Sequence, residues 1–315
     1  MIEIQNLTKK YGQIKAVNNI SFTVEKGEVV GFLGPNGAGK STTMNIITGF
    51  IPSSEGTVKV CGFDIMENPR EVKRRIGYLP ETPPVYMDMI VKDYLDFVSD
   101  LKLVDKKKKN AQIDDIMELV KITDVRGRLI KNLSKGYKQR VGLAQSLIGS
   151  PEVLILDEPT VGLDPKQIIE IRKLIKELGK EHTIILSSHI LPEVSAVCDR
   201  IVIINKGAIV AIDTPENLSK GLGSSTRFVI KIAGPQNSVI TALKNVYGVK
   251  YVEAGAQKED DVFDYILEST NEVDIRKPIF FELAKYGYPV MEMKSLDLSL
   301  EEIFLQLTTR EEEVE

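Results

Sequence analysis

The chain has 315 residues, 43% of them hydrophobic and 27% charged, with a formal net charge of -4. That length suits one large domain or two modest ones, and the charge balance excludes a sequence-wide pull toward nucleic acid or an anionic membrane. No apolar run approaches the ~20 residues needed to cross a bilayer, Met1-Ile2-Glu3-Ile4 lacks a charged-then-apolar leader pattern, and Cys61 and Cys198 are far apart, without metal-ligand spacing. The chain is therefore expected to stay in the cytoplasm, where anything it moves across a membrane must pass through another polypeptide.

Ile2–Leu7 and Ile20–Val24 alternate or run apolar and read as strands, and Val29–Leu33 is a short apolar run feeding a glycine-rich stretch. Thr42–Thr48 reads as a helix closed by Gly49 with Pro52 just beyond, and Val58–Val60 as a further strand. From Asp88 to about Ser150 the pattern turns helical. Val91, Tyr94, Leu95 and Val98 fall at helical spacing, and so do Ile113, Ile116, Met117 and Val120. This stretch (88–150) reads as a helical insertion between the glycine loop and the second core strand. Its lysine run, Lys106–Lys109, reads as a solvated loop or helix start. Val153–Leu156 is then a strand, Gln167–Leu178 a helix, Thr183–Leu186 a strand and Leu191–Val197 a short helix. Ile201–Asn205 and Ala208–Ile212 form a hairpin around Lys206-Gly207. Such alternation argues for a mostly parallel sheet with helices on both faces.

The pattern changes after Gly221-Leu222-Gly223-Ser224-Ser225, which reads as a linker between a domain of residues 1–220 and a second of residues 226–315. Beyond it come a strand at Arg227–Ile232, a helix at Ser238–Val246, strands at Val249–Glu253 and Val262–Leu267, a helix at Asp274–Tyr286 and a strand at Pro289–Lys294. The order β-α-β-β-α-β is that of a ferredoxin-like split βαβ module. A last helix is expected from Ser299, where Ser299 and Glu302 make a capping box and Leu298 and Ile303 a hydrophobic staple, and the acidic end Glu311–Glu315 is expected to be frayed.

Gly34-Pro35-Asn36-Gly37-Ala38-Gly39-Lys40-Ser41-Thr42 matches the phosphate-loop pattern GxxxxGK[ST] at every fixed position. Glycines let the backbone wrap a phosphate with its N–H groups pointing inward. The following helix offers its positive end to the same anion. Lys40 can reach the β- and γ-phosphates as a mobile charge, and Ser41 can ligate Mg²⁺. Asp157 and Glu158 close the apolar strand Val153–Leu156. Adjacent carboxylates at a strand end point to different sides, so one can hold a metal shell while the other faces an attacking water. Their mutual repulsion calls for a nearby cation, which a Mg²⁺–phosphate site supplies. His189 follows the strand Thr183–Leu186 and Ser187-Ser188, and the other histidine, His182, reads as a surface turn residue.

Leu133-Ser134-Lys135-Gly136-Tyr137, about twenty residues before that carboxylate pair, resembles the Leu-Ser-Gly-Gly-Gln signature of the ATP-binding-cassette (ABC) family. The resemblance implies a P-loop cassette with a mostly parallel core sheet, an N-terminal antiparallel β part and a helical insertion, beside the small α+β ferredoxin-like C-terminal domain. It implies that Asp157 is the Walker B aspartate, Glu158 the catalytic base or water-orienter, and His189 the switch histidine at the γ-phosphate. It further implies that Tyr11 stacks on adenine, that Ser134, Lys135 and Gly136 meet the ATP of a second cassette from the start of a helix at Tyr137–Ile148, and that Gly162-Leu163-Asp164 is the D-loop linking the two sites. Mg²⁺ would be held by Ser41, Asp157 and the Q-loop position, here Glu81 in Gly77-Tyr78-Leu79-Pro80-Glu81.

Several positions depart from the family pattern. Glu81 stands where the family has Gln, Lys135 replaces a signature glycine, Tyr137 replaces the signature glutamine, and the D-loop opens with Val161-Gly162. With the C-terminal module, these features look like the ATPase subunits of ABC-2-type exporters, in the gliding-motility and drug- or polysaccharide-exporter branch. The expected activity is ATP hydrolysis by two head-to-tail cassettes, either two copies of this chain or this chain and a paralogue. A separate multi-span permease would hold the pair on the inner face of the cell membrane, docking near Tyr78–Asp100. The rival readings are a soluble ABC ATPase acting on ribosomes or DNA, and a regulatory module whose C-terminal domain senses a ligand. Lone cassettes without coiled-coil insertions or basic excess do not fit the first, so no nucleic-acid partner is expected.

Overall fold

In the computed structural model, which describes residues 1–221, 227–259, 261–270 and 273–296, the residues from Met1 to Pro215 form one unit built on two sheets. Chain order is β1 (Ile2–Tyr11), β2 (Ile14–Val24), β3 (Val29–Leu33), α1 (Lys40–Ile47), β4 (Glu55–Val60), β5 (Phe63–Asp64), α2 (Pro69–Arg75) and β6 (Ile76–Leu79). Next come α3 (Val91–Leu101), α4 (Lys106–Leu119), α5 (Lys135–Leu147), β7 (Val153–Asp157), α6 (Pro165–Leu178), β8 (Thr183–Ser188), α7 (Leu191–Ser195), β9 (Arg200–Asn205) and β10 (Ala208–Asp213). Helix α8 (Pro215–Gly221) follows.

The first sheet is antiparallel in the order β2-β1-β4-β5, and the second runs β10-β9-β3-β8-β7-β6. In the second sheet β9, β3, β8, β7 and β6 are parallel and only β10 is antiparallel. Every residue of β3 and β7 is buried, as expected of parallel strands covered on both faces. One core joins the two sheets, with Ile2, Phe22, Val30, Phe32, Ile155, Ile185 and Val202 in the same buried cluster. Because β3, β8, β7 and β6 are neighbours pointing the same way, the loops that leave their carboxyl ends emerge side by side at one edge.

The structure adds a strand. β6 carries Gly77 and Tyr78, so the core sheet gains a strand before the helical insertion, whose first helix is α3. Gly77 breaks the apolar run of β6, and α2 before it buries only Val72, so neither shows a clear period. The lysine run starts α4 behind the N-cap Asp105, and Lys109 is buried there between Asp96 and Asp100 at 2.8 and 2.7 Å rather than solvated. His182 lies in the turn before β8 but is half-buried, with Nδ1 2.7 Å from the Pro151 carbonyl.

A second unit begins at Glu216. It contains β11 (Arg227–Ala233), α9 (Gln236–Lys244), β12 (Val249–Glu259), β13 (Val262–Ser269), α10 (Arg276–Lys285) and β14 (Val290–Leu296). Its antiparallel sheet has the order β12-β13-β11-β14, which is the arrangement of a split βαβ module. Phe228, Ile230, Ile232, Tyr265 and Leu267 on the sheet pack with Val239 and Leu243 of α9 and Ile279 and Leu283 of α10 in a separate core. Gly221 ends α8, while the rest of the expected linker, the helix expected from Ser299 and the acidic end lie outside the described residues.

Strand β6 meets α5 through Gly77, where an added Cβ would fall 1.9 Å from the Ser146 carbonyl oxygen and 2.8 Å from Leu154 Cδ2. Gly77→Ala therefore has to push helix from sheet, and is expected to lower stability by about 1–3 kcal/mol, read as a lower urea midpoint. Gly127→Ala, where the Cβ meets nothing within 4 Å, should leave the midpoint unchanged.

Candidate active site

The four parallel strand ends deliver their loops to one cavity of about 430 Å³, lined by Ala16, Asn36, Gly37, Gly39, Lys40, Ser41, Thr42, Glu81, Glu158, Val161 and His189. The glycine loop from β3 is fixed from both sides. The Gly34 amide donates to the Ser188 carbonyl at 3.3 Å, and the Gly207 amide donates to the Ala38 carbonyl at 3.0 Å. Gly39 has φ +106° and its missing Cβ would lie 2.4 Å from the Ala16 carbonyl oxygen, so glycine is required twice over, by conformation and by space. It is also the N-cap of α1, whose first-turn amides therefore open toward the cavity.

Lys40 is buried, and its Nζ donates to the Gly34 carbonyl at 2.8 Å and the Pro35 carbonyl at 3.2 Å. The same Nζ is 3.4 Å from Glu158 Oε1, with both side chains under a tenth exposed. On the other side His189 Nδ1 lies 3.0 Å from Glu158 Oε2 and 3.1 Å from Oε1. Glu158 does not continue β7. Its φ is +49°, a left-handed conformation that costs a non-glycine residue of order 1 kcal/mol or more. The separation of the two carboxylates, expected from strand alternation, is thus made by a left-handed turn at the end of the strand.

Asp157 stays in the strand, where it accepts a hydrogen bond from the Ser187 hydroxyl. The Ser187 oxygen in turn accepts from the Glu158 amide at 2.9 Å, so one hydroxyl on β8 organises both carboxylate residues. Burial pushes the Asp157 carboxyl above its usual value, and the charges of Glu158 and Glu81 add to that. Hydrogen bonds from Ser187 and Ser41 act in the opposite direction.

Of the residues singled out in the sequence, the cavity brings together Asn36, Gly37, Gly39, Lys40, Ser41, Thr42, Glu81, Glu158 and His189, with Asp157 buried beside them. Gly34, Pro35 and Ala38 form the loop's frame rather than the cavity wall. Tyr11 is half-exposed at the end of β1 with Lys9 Nζ 5.2 Å from its ring centre, and it is not part of the wall. Ser134, Lys135, Gly136 and Asp164 also lie off this wall. Ser134 caps α5, accepting from the Tyr137 amide at 3.4 Å, and Asp164 caps α6, accepting from the Gln167 amide at 2.9 Å. Lys135 Nζ lies against Gly162, within the same chain. Ser187, Thr160, Gln139 and Glu193 had no expected role. All four prove to be buried, which their local sequence does not signal.

Residues 17–161 match the family described as ABC transporter. A protein of Bacillus subtilis (strain 168), described as an uncharacterized ABC transporter ATP-binding protein, is 35% identical over 99% of this chain and 98% of its own length. The bacitracin transport ATP-binding protein BcrA of Bacillus licheniformis is 33% identical over 98% of this chain and 97% of its own. A solved structure of the ATP binding subunit of an ABC transporter superposes with a TM-score of 0.65 at 28% identity, over 71% of this chain and 93% of that one. Among the described residues no helix is long and apolar enough to cross a membrane.

The Asp157 carboxyl sets a pH dependence with a definite sign. Its folded value is raised, so the folded chain keeps that proton to higher pH than the unfolded chain does. This contribution to stability is fully present below the unfolded value and is lost as pH rises through the folded one. Asp157→Asn is therefore expected to raise the melting temperature at neutral pH without nucleotide, with the gap to the native chain closing toward acid. Melting curves of the two chains across that range check both points.

Proposed function

The chain belongs to the ABC transporter family as an ATP-binding, ATP-hydrolysing subunit, and from that premise we propose that it powers export through a separate membrane-spanning permease of the ABC-2 type. The observation that carries the catalytic part is the placing of Glu158 between Lys40 and His189 on the wall of the glycine-loop cavity. In this reading the loop amides and Lys40 bind the phosphates of ATP. Glu158 then orients the attacking water and takes its proton. His189 holds the Glu158 carboxylate through Nδ1, leaving its other ring nitrogen for the γ-phosphate. Tyr11 would contribute a face to the adenine.

Magnesium fits the oxygens present. The Ser41 hydroxyl lowers and the Glu81 charge raises the proton affinity of Asp157, so both lie near its carboxylate. These are hard donors of the kind Mg²⁺ takes. Among the described residues no group of three or more His, Cys, Asp or Glu side chains could hold a metal. Ser41, Asp157 and Glu81 would therefore share the ion with phosphate oxygens. When bound, it would neutralise part of the phosphate charge.

Two copies of the chain, or this chain and a paralogue, would close head to tail around two ATP molecules. Ser134, Lys135, Gly136 and the D-loop through Asp164 would face the nucleotide of the opposite cassette, which agrees with their distance from the wall of this chain's own cavity. The α5 N-terminus behind Ser134 would present its positive end to that nucleotide. Loss of the γ-phosphate contact on hydrolysis would reopen the pair.

A second cavity of about 940 Å³ lies between the core sheet and the helical insertion, reaching from Asn45 and Phe50 through Tyr78 and Pro84 to Tyr94 and Leu103. Exposed Phe50, Tyr86, Phe97, Leu101 and Leu103 give it an apolar surface, the kind that marks a partner site. A cytoplasmic helix of the permease would dock there and hold the subunit on the inner face of the membrane. A transport role agrees with the bacitracin transport protein, which aligns over nearly the full chain.

Glu158→Gln keeps the shape and removes the base. ATP hydrolysis by the purified chain, read as phosphate release, is expected to fall by ~10²–10⁴-fold while ATP binding persists. A variant that turned over at the native rate would remove Glu158 from the chemistry.

A further inference from the structure

Glu158 must be held in its left-handed turn by something, since its own backbone prefers otherwise. The next residue, Pro159, has no amide to donate. Its carbonyl instead accepts a hydrogen bond from Gln139 Nε2 at 3.0 Å, and Gln139 is a buried residue of α5, the helix capped by Ser134. Thr160 follows, also buried, and its hydroxyl donates to Glu193 Oε2. Glu193 lies on α7, four residues beyond His189, and is itself only 5% exposed. Arg172 of α6 has its guanidinium 3.7 Å from the other Glu193 oxygen, while its buried Nε finds no hydrogen-bond partner among the described residues.

A carboxylate buried to this degree costs several kcal/mol unless it is paired and hydrogen-bonded. A single hydroxyl and one arginine at 3.7 Å are a modest compensation for that cost. What the arrangement achieves is geometric. It ties the segment bearing His189 to the turn bearing Glu158, at a point two residues beyond the left-handed φ.

We infer that Thr160 and Glu193 are positioning residues for ATP hydrolysis: their hydrogen bond sets the Glu158 turn against the His189 segment, and so fixes the contact between the Glu158 carboxylate and the His189 ring. This rests on the assignment of Glu158 as the residue that handles the attacking water. Neither residue lines the cavity, so both act through Glu158 and His189 and touch no substrate themselves. The Gln139 bond to Pro159 clamps the same turn from the signature helix.

Thr160→Val removes the donor and keeps the branched shape. The expected result is a kcat at least about tenfold lower with the dissociation constant of a fluorescent ATP analogue changed less than about twofold, and Thr160→Ser, which restores the hydroxyl, recovers most of the loss. A residue that acts through Glu158 has nothing left to act on once that carboxylate is gone. In the Glu158→Gln chain, Thr160→Val should therefore leave the residual hydrolysis unchanged. The inference is overturned by an unaltered kcat in Thr160→Val, by a loss that Thr160→Ser does not recover, or by an equal further loss in the Glu158→Gln chain. Native-rate turnover by Glu158→Gln alone would instead overturn the assignment on which the inference rests. A general loss of folding would show as weakened analogue binding and a lower melting temperature in Thr160→Val, which also counts against a positioning role.

Discussion

The Glu158 carboxylate is held between two nitrogens from distant parts of the chain, Lys40 Nζ at 3.4 Å and His189 Nδ1 at 3.0 Å. Breaking a buried ion pair by removing one partner typically costs about 3–5 kcal/mol, so this contact constrains whatever surrounds it. It requires β3, β7 and β8 to be adjacent and parallel, because each of the three residues leaves the carboxyl end of one of those strands. It also requires the left-handed turn at Glu158, without which the carboxylate would continue the alternation of β7. The buried apolar strands are the platform, and the strained, charged residues are confined to their ends. That division suits a site where charge must be used rather than dispersed.

The motif residues could be read from the sequence because their chemistry leaves little freedom. Gly39 needs both a positive φ and the absence of a Cβ, and Lys40 has to follow it at the start of α1. The central strand β7 was legible for a similar reason, as Val153–Leu156 is an unbroken apolar run and is buried throughout. Strand β6 was not, since Gly77 interrupts its short apolar run. The clamps escaped for another reason. Gln139, Thr160 and Glu193 come from three separate segments, and only the fold shows that they meet around one turn. Tyr11 was read from residue type and place alone, and its half-exposed ring stands at the end of β1 with Lys9 over it.

The order of elements in the second unit was legible for its own reasons. β11 alternates, with Phe228, Ile230 and Ile232 inward and Val229 and Lys231 less buried. This unit has a core of its own, built from one sheet face and two helices. In the first unit the larger cavity is edged by exposed Phe50, after α1, and Tyr86, before α3. Glu81 follows β6, whose Tyr78 hydroxyl donates to Asn45 at 3.0 Å and whose Tyr78 carbonyl accepts from Gln145 at 2.9 Å. The segment from Ile76 to Glu81 therefore lines the larger cavity through Ile76, Gly77, Tyr78 and Pro80 and the glycine-loop cavity through Glu81.

The measurement that bears most directly on the export account is recovery of the tagged Glu158→Gln chain, loaded with ATP, from detergent-solubilised native membranes, followed by identification of what accompanies it. The account predicts a polypeptide with several membrane spans in stoichiometric amount, released when the apolar surface is changed by Phe50→Asp. Recovery with ribosomes or DNA, or with no membrane protein at all, would contradict the export role and leave the ATPase site standing alone.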